Sequence, residues 1–523
     1  MFGSTIGGPY DWNLTTTPQP ELSSRRVNLT RGKVLGGSSA LNYLVWNRAS
    51  APDMVSGMAK SENFTATNNQ DYYGSFGRST QGPIHNVVER YRTEQVLSWV
   101  PTLERLGLSH NLESLDGNPL GAMLQPSNIN PDNNTRSYSA SSYIPHAGSN
   151  LVLLLSTRVA KINLEAPSKE TKARRNSDGS LVATGVTLQD GSVIMARQEV
   201  ILSAGSLQSP GLLELSGIGQ RDVLDAVGIN QLIDLHGVGE NFQDHVGVGV
   251  THQLKPGYNS LDVFKYNATF AAEQLALWKK GDLSKYDTAV ASVGFLNWKQ
   301  LLGDDTALVG LAKADFGNST NVIDQAKLSF LSDYNVPQVE VIMSENTNGP
   351  VYPPLDDPLY GSDFVTITGI AMRPLTRGSV HIRSSNISQS PDIDPRYVAN
   401  SYDMRSLVEA GKFARKIAQT EPLASLLVGE YAPGFPAVST DEQWENYIRK
   451  TMRTIYHFSG TCAMLPKDDG GVVDPRLRVW GTSNLRVADA SIVPVLVASH
   501  TQTLIYGIAE RAAEIIIEDH EGD

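Results

Sequence analysis

The sequence predicts a mixed fold of the α/β class, α+β in part, with more than one domain. Residues 151–205 contain apolar and β-branched runs separated by Asp-Gly turns, which is typical of strands and hairpins. Residues 337–384 contain further strand-like runs, and a helical pattern follows at residues 401–420. The chain ends in a strand, a loop and a long helix over residues 483–520.

The first long helical pattern lies at residues 89–108, where Pro101 is predicted to interrupt the helix because proline has no backbone N–H. The apolar run at residues 151–156 is expected to begin the first group of strands. The runs at residues 337–345, 363–372 and 378–384 look like strands of one sheet. In the last helix an apolar stripe is formed by Leu504, Ile505, Ile508, Ala509, Ala512, Ile515 and Ile516.

Composition places the chain among ordinary globular proteins. It has 523 residues, 40% of them hydrophobic and 19% charged, enough for two or three domains. The net charge of -12 without charge runs argues against nucleic acid as a partner. No apolar run reaches the roughly 18 residues that a membrane span needs. The single cysteine, Cys462, excludes an intrachain disulfide and a cysteine-built metal site.

Localisation stays open on the sequence. The first twelve residues have neither a basic nor an apolar region, so no signal peptide is recognised. N-glycosylation sequons favour secretion slightly, although a chain rich in Asn, Ser and Thr yields some by chance. The sequons begin at Asn13, Asn28, Asn63, Asn133, Asn267, Asn318 and Asn386.

A glycine turn near the N-terminus predicts an anion site. Gly36 and Gly37 allow a tight turn, the serines that follow can cap a helix, and Leu41, Leu44 and Val45 recur at helical spacing. The N–H groups and the dipole at such a helix start suit a phosphate. The stretch is neither a Walker loop nor a dinucleotide fingerprint, and a capped helix without a ligand is the alternative.

Further motifs follow in order. Residues 203–219 combine a strand end, a Ser209 cap with a proline in the first turn, and a Gly-x-Gly stop. "GVGENFQDH" at 237–245, "YHFSGTCAM" at 456–464 and "SHTQ" at 499–502 follow. Together with the glycine turn they resemble the glucose–methanol–choline (GMC) oxidoreductases, FAD-dependent alcohol oxidases and dehydrogenases. The likeness is nearest the glucose-oxidase and aryl-alcohol-oxidase type.

The resemblance implies a two-domain flavoprotein. An incomplete Rossmann-like FAD-binding domain would comprise residues 1–50, 150–250 and 451–523. A substrate-binding or cap domain would comprise residues 51–149 and 251–450, built on a mainly antiparallel sheet with helices.

By resemblance, the cofactor is FAD, and eleven positions match the family's FAD contacts. Counted along the chain, the first four positions would line the phosphates and the next three would lie at the flavin ring. Val159 would meet the adenine, and Asp489 with Ala490 would contact the phosphates and the ribityl chain. The last would begin a helix whose positive end points at the flavin. The positions are Leu35, Gly36, Gly37, Ser38, Asn42, Tyr43, Val45, Val159, Asp489, Ala490 and Thr501.

Two histidines match the family's active site. Oxidising an alcohol requires a base for the hydroxyl proton at neutral pH, and histidine is suited to this. By resemblance His457 is that base and His500 is the second active-site residue, where many dehydrogenase-type relatives carry Asn. A satisfied structural histidine is the alternative for each, and we interpret His245 as structural.

Other chemistries find little support in the residues. His236, His245 and His252 lack the spacing of a zinc site, so no metal is expected. Cys462 is interpreted as a packing residue. No G-x-S-x-G occurs, which argues against a serine hydrolase.

One departure from the family concerns the N-terminus. The family begins with a βαβ unit carrying G-x-G-x-x-G, and this motif does not occur in the sequence. The sequence is therefore either an incomplete product of an ordinary enzyme or a degenerate paralogue that lacks the unit.

The function implied is oxidation of a small-molecule alcohol at its CH–OH group, by proton abstraction and hydride transfer to flavin N5. Oxygen or another electron acceptor would take the electrons. The substrate stays open, and alcohols of secondary metabolism are among the candidates. The alternatives are a lyase or cyclase on the same fold without net redox, and an inactive truncated paralogue.

Overall fold

The computed structural model describes residues 6–51, 57–65, 74, 78–166, 180–349 and 352–521. Two large hydrophobic cores organise these residues. The first surrounds a large antiparallel sheet, and the second lies against the long C-terminal helix. No described helix is long and apolar enough to cross a bilayer.

The helices lie between groups of strands along the chain. They are α1 (Glu94–Arg105), α2 (Ser139–Tyr143), α3 (Ser209–Leu215), α4 (Arg221–Ala226), α5 (Val263–Tyr266), α6 (Ala268–Lys280), α7 (Trp298–Leu302), α8 (Thr306–Phe316), α9 (Val322–Ser332), α10 (Ser401–Ala418), α11 (Asp441–Thr451) and α12 (Thr501–Glu521).

Most strands are short. They are β1 (Leu14–Thr15), β2 (Asn28–Leu29), β3 (Glu62–Phe64), β4 (Ile84–Val88), β5 (Gly121–Leu124), β6 (Pro126–Ser127), β7 (Ile129–Asn130), β8 (Thr135–Arg136), β9 (Val159–Glu165), β10 (Val182–Leu188), β11 (Val193–Met195), β12 (Val200–Leu202), β13 (Ile218–Gly219), β14 (Ile233–Asp234), β15 (Val246–Leu254), β16 (Ser292–Leu296), β17 (Val339–Ser344), β18 (Phe364–Ala371), β19 (Ser379–His381), β20 (Asp392–Asp394), β21 (Leu427–Ala432), β22 (Arg453–Thr454) and β23 (Leu485–Val487).

The large sheet has the strand order β21-β15-β18-β17-β16-β5, and β22 pairs with the start of β15. Every pairing within it is antiparallel. Helix α10 packs on β18 so closely that a Cβ added at Gly369 would lie 2.4 Å from the Ala410 carbonyl oxygen. Strands β15 and β18 are buried along nearly their whole length.

The second core joins smaller sheets to α12. Strands β12 and β23 pair in parallel, and β9, β10 and β11 form an antiparallel sheet. Leu485 and Val487 of β23 share this core with Leu504, Ile508 and Ile515 of α12. The core therefore carries the strand–loop–helix predicted for the C-terminus.

The mixed fold class and the mainly antiparallel sheet are confirmed, but the helix predicted after Gly37 is wrong. The chain makes a 3₁₀ turn over Gly37–Ala40, and Leu44 then adopts a left-handed backbone with φ +68°. Asn42 Oδ1 accepts the Leu44 backbone N–H at 3.1 Å. A side chain that captures a nearby backbone donor competes with helix formation, so the apolar spacing is not used.

Three smaller predictions also need correction. The run at 151–156 does not form a strand, because a strand needs a neighbour and none of the described residues pairs with this run. The side chains of Leu151–Leu155 are 43–76% exposed. Pro101 lies inside an uninterrupted α1, where Ser98 and Thr102 hydroxyls bond to backbone carbonyls. Strand β19 pairs with β20, outside the large sheet.

His381 lies between two carboxylates and thereby links α3 to the loop before β15. Its Nδ1 is 2.6 Å from Glu214 Oε1 and its Nε2 is 3.2 Å from Glu240 Oε1. Burial alone would lower the pKa of His381, but the two carboxylates raise it from 6.5 to about 9. The folded chain therefore binds this proton more tightly than the unfolded chain.

We expect this ion pair to stabilise the fold fully below pH 6.5 and to lose its contribution as the pH rises through about 9. In His381→Gln, thermal unfolding measured across that interval should lose this pH-dependent fall. His236→Gln is the control, because its side chain is 76% exposed. Equal slopes in the parent and His381→Gln would contradict the assignment.

Candidate active site

Asp489 lies where several of the sequence motifs meet. Its carboxylate accepts hydrogen bonds from the Gly205 backbone N–H at 2.9 Å, the Ser209 hydroxyl at 2.6 Å and the Ser491 backbone N–H at 2.8 Å. The backbone N–H of Cys462 donates to the Ser491 carbonyl at 2.8 Å. The loops that carry these motifs therefore converge on one buried carboxylate.

The two histidines selected from the sequence lie beside each other. His457 follows β22, His500 immediately precedes α12, and their ring centroids are 4.7 Å apart. The backbone N–H of His500 donates to Asn47 Oδ1 at 3.0 Å, and the Thr503 hydroxyl donates to the Asn47 carbonyl. These bonds tie the N-terminal motif to the start of the last helix.

A third histidine contacts His457. The Nδ1 atoms of His457 and His245 are 2.8 Å apart, and the His457 backbone N–H donates to Asp244 Oδ1 at 3.0 Å. Burial lowers the pKa of His457 well below its usual value, and His500, His245 and Arg31 act in the same direction. The neutral imidazole, which can accept a proton, is therefore favoured at neutral pH.

A buried carboxylate faces His500. Glu340 on β17 is fully buried, and its Oε1 lies 2.8 Å from His500 Nε2. Its Oε2 is buried without a protein partner. Because a buried carboxylate requires hydrogen-bond donors, this contact fixes the orientation of the His500 ring.

The loop that carries His457 is strained and clamped. Tyr456 has φ +68°, a conformation that costs a non-glycine residue about 1–3 kcal/mol. Arg31 Nη2 donates to the Tyr456 carbonyl at 2.6 Å, and its guanidinium lies 4.0 Å from the centre of the Phe458 ring. Burial lowers the pKa of Arg31 to about 10, so it stays charged at neutral pH.

The glycine turn presents an open surface. Gly36 has φ +90° and Gly37 has φ +56°, and a Cβ added at Gly37 would meet nothing within 4 Å. The neighbouring side chains of Leu35 and Tyr43 are 40% and 36% exposed. The turn therefore has room for another group, and two large, partly exposed side chains lie next to it in the chain.

Arg136 holds the segment after the turn. Its Nη1 donates to Asn42 Oδ1 at 2.5 Å and to the Ser39 carbonyl at 3.3 Å, and its Nη2 donates to the Asn42 carbonyl at 2.8 Å. The Ser38 hydroxyl accepts the Gly32 backbone N–H at 3.2 Å. Burial lowers the pKa of Arg136 to about 10, and the guanidinium remains charged at neutral pH.

The remaining predicted residues are parts of regular structure. Val45 is buried and bridges Ser127, Ala490 begins the 3₁₀ turn Ala490–Ile492, and Thr501 is the first residue of α12. Val159 is the first residue of β9, in the sheet of β9, β10 and β11, apart from the strands next to the histidines.

Sequence reasoning missed several side chains near the histidines. They are Glu340, Asn47 and Gln502, together with His245, which the sequence analysis interpreted as structural. Arg136, which holds Asn42, was also missed. A charged residue inside the apolar run "VEVIM" was a usable signal for Glu340, because such a residue needs a buried partner. Among the described residues, no group of His, Cys, Asp and Glu is arranged to hold a metal ion.

Comparison with family models identifies the chain. The model described as GMC oxidoreductase matches in two parts, an N-terminal part at residues 13–247 and a C-terminal part at residues 374–509. The chain belongs to the GMC oxidoreductase family. It is an FAD-dependent oxidoreductase, and FAD is its cofactor.

Similar proteins agree with this assignment. GMC oxidoreductase family protein Mala s 12 of Malassezia sympodialis is 32% identical, covering 99% of this chain and 84% of the relative. Versicolorin B synthase of Aspergillus parasiticus is 31% identical, covering 96% of this chain and 77% of the relative.

Two solved structures share the fold. An FAD-dependent oxidoreductase from Chaetomium thermophilum has a TM-score of 0.85 at 26% identity, covering 98% of this chain and 91% of that chain. A fungal aryl-alcohol oxidase has a TM-score of 0.82 at 25% identity, covering 98% of this chain and 90% of that chain. The fold class predicted from the sequence is thus confirmed as that of GMC flavoproteins.

The residues present fit the flavin end of FAD. Asn47 Nδ2 and both amide atoms of Gln502 are buried without protein partners at the start of α12. An isoalloxazine ring carries polar atoms on one edge, which would satisfy such groups. The open space at Gly37 and the exposed Tyr43 side chain leave room for another group at the N-terminal motif.

We expect Gly36→Ala to retain less flavin. An added Cβ would lie 2.8 Å from the Tyr138 ring, so the turn must shift. Gly107→Ala is a matched control: Gly107 also has φ +90°, but its Cβ would meet nothing within 4 Å. The ratio of flavin to protein absorbance after desalting gives the result. Equal ratios in the two folded variants would contradict the role of this turn.

Proposed function

We propose that this protein oxidises the CH–OH group of a small alcohol, with His457 as the base and His500 as the second active-site histidine. The observation that carries the proposal is the contact of the two rings at 4.7 Å, with one ring held by a histidine and the other by a carboxylate. The two histidines thus have different surroundings, as two groups with different proton-transfer roles require.

His457 would take the hydroxyl proton. Its neutral form is favoured by burial, and a neutral imidazole within hydrogen-bond reach is a competent base. FAD, when bound, supplies the acceptor for the hydride that leaves the same carbon atom. The contact of Arg31 with the Tyr456 carbonyl holds the backbone of the loop that carries His457.

His500 would orient the substrate oxygen from the other side. Its Nε2 is engaged with Glu340, and its backbone with Asn47, so its ring has little freedom. The Glu340 carboxylate compensates positive charge that develops between the two histidines as the proton moves. The burial of His457 and Glu340 keeps bulk water away from this transfer.

The cofactor-binding roles belong to the same proposal. Leu35, Gly36, Gly37 and Ser38 would face the phosphates with main-chain groups. Asn42, Tyr43 and Val45 would lie near the ring, Val159 near the adenine, and Asp489, Ala490 and Thr501 near the phosphates, ribityl chain and pyrimidine edge. The open turn supports the phosphate end of this assignment, and the exposed Tyr43 and the unpartnered amides of Asn47 and Gln502 support the flavin end.

The domain division is also proposed. Residues 1–50, 150–250 and 451–523 would bind FAD, and residues 51–149 and 251–450 would cover the substrate. The second core, which contains Ala49 and residues from 162–238 and 462–515, supports it, and Met58 of the other proposed domain packs in the same core. Leu14, Leu22, Val27 and Leu29 pack instead in the core of the large sheet.

A reaction without net oxidation is the second candidate. A relative at 31% identity is named a synthase rather than an oxidase or dehydrogenase. The same neutral histidine would then serve as a base for proton abstraction alone. Product formation without oxygen uptake or reduction of an added acceptor would favour this candidate over alcohol oxidation.

We expect His457→Asn to lower turnover of an alcohol substrate by about 100- to 10,000-fold, because general-base catalysis contributes on that scale. Flavin content should stay the same, since the proposed cofactor contacts lie elsewhere. His236→Asn is the control for a histidine on the surface. Loss of flavin with loss of turnover would assign His457 a structural role instead.

We expect Glu340→Gln to lower kcat by about 10- to 100-fold, because it removes the charge that supports His500 while keeping a similar shape. Glu345→Gln removes another buried carboxylate, which contacts Gln95 at 2.7 Å, and should keep near-parental kcat. Melting temperatures of both variants check that folding is retained. An unchanged kcat in Glu340→Gln would remove this residue from the proposal.

A further inference from the structure

His245 is held between a carbonyl oxygen and the proposed base. Its Nε2 is 3.1 Å from the Met372 carbonyl oxygen, and its Nδ1 is 2.8 Å from Nδ1 of His457. The side chain is fully buried. One ring nitrogen of His245 therefore contacts a carbonyl oxygen, and the other contacts an imidazole nitrogen.

The backbone fixes this arrangement. Strands β15 and β18 pair with Val246 opposite Ala371, so the preceding His245 faces the following Met372. The Ile455 backbone N–H donates to the His245 carbonyl at 3.0 Å and sets the neighbouring segment in register. Turning the His245 ring over would exchange its nitrogens for carbons and break both side-chain contacts.

These contacts determine where the protons lie, once they are assigned from the hydrogen-bond network. A carbonyl oxygen only accepts, so His245 Nε2 must carry a proton. In a neutral imidazole the other nitrogen, Nδ1, is then an acceptor. His457 Nδ1 must therefore donate to it, which leaves His457 Nε2 without a proton.

This placement of protons holds for a neutral His245, and the surroundings of His245 favour that form. Burial lowers the pKa of His245 well below its usual value, and His500, Arg373 and Lys327 add to the effect. A protonated His245 would donate from both nitrogens and would force the His457 proton onto Nε2. His457 could not then accept a proton there.

We propose that His245 is a positioning residue that holds His457 in the Nδ1–H tautomer, so that His457 Nε2 is the atom that receives the substrate proton. The inference rests on the proposed role of His457 as base. In the step, the substrate O–H bond breaks and an N–H bond forms at Nε2. The imidazolium so formed keeps its Nδ1–H bond to His245, which need not gain or lose a proton.

The test uses the full chain with ¹⁵N-labelled histidine rings and long-range ¹H–¹⁵N correlation at neutral pH. The His457 signals are assigned by their loss in His457→Asn. We expect His457 to be neutral with its proton on Nδ1, and His245 to be neutral with its proton on Nε2. A His457 signal with the proton on Nε2, or an imidazolium, would overturn the inference.

Variants add a second readout. His245→Gln can still reach the Met372 carbonyl but loses the acceptor at Nδ1, so His457 should shift toward the Nε2–H tautomer. In the FAD-loaded chain we expect kcat to fall about 10- to 100-fold, as for loss of a partner that orients a ligand, with a smaller change in KM. His252→Gln, a buried histidine on β15, is the matched control and should change neither.

The outcomes separate the two proposals. An unchanged His457 tautomer in folded His245→Gln overturns the positioning role, whatever the kinetics. If His245→Gln does not fold, the tautomer in the parent chain decides. If His457→Asn keeps full turnover while the parent shows the Nδ1–H tautomer, the proposed base is wrong and the hydrogen-bond assignment stands.

Discussion

The pairing of β22 with the first residues of β15 is the contact on which the active-site region depends. Thr454 lies opposite Val246, and the Gln243 and Ser459 backbones bond to each other further along. This short ladder brings together His245 and His457, which are 212 residues apart in the chain. Without it, the three histidines would have no reason to meet, because each lies in a loop next to a strand or helix.

Burial then gives the neighbouring histidines different properties. His457 and His245 are enclosed among apolar groups and positive charges, which favours their neutral forms. His500 instead contacts the carboxylate of Glu340, which lies on a different strand of the same large sheet. His457 is thus contacted by His245 from the loop before β15, and His500 is contacted by Glu340 from strand β17. The two histidines therefore have different electrostatic environments within one cluster.

Strain accompanies this arrangement. Tyr456 and Leu44 both have φ +68°, and each is next to a residue with a proposed role. Two partly buried arginines offset the strain by holding the carbonyl oxygens of these loops: Arg31 at Tyr456 and Arg136 at Asn42. Non-glycine residues keep such conformations only where the surroundings over-determine them, and both loops meet that condition.

The sequence by itself predicted the fold class, because glycine turns, caps and hydrophobic periodicity act over a few neighbouring residues. Its motifs indicated the family by resemblance, and the same resemblance selected His457 and His500 as the proposed active-site histidines. It did not predict the contacts of His245 or Glu340, nor the absence of a helix after Gly37. Those depend on partners that are distant in the chain, such as Arg136 for Asn42, 94 residues away, and Met372 for His245, 127 residues away. Only the tertiary structure decided them, since which nitrogen carries a proton depends on what lies across the packed strands.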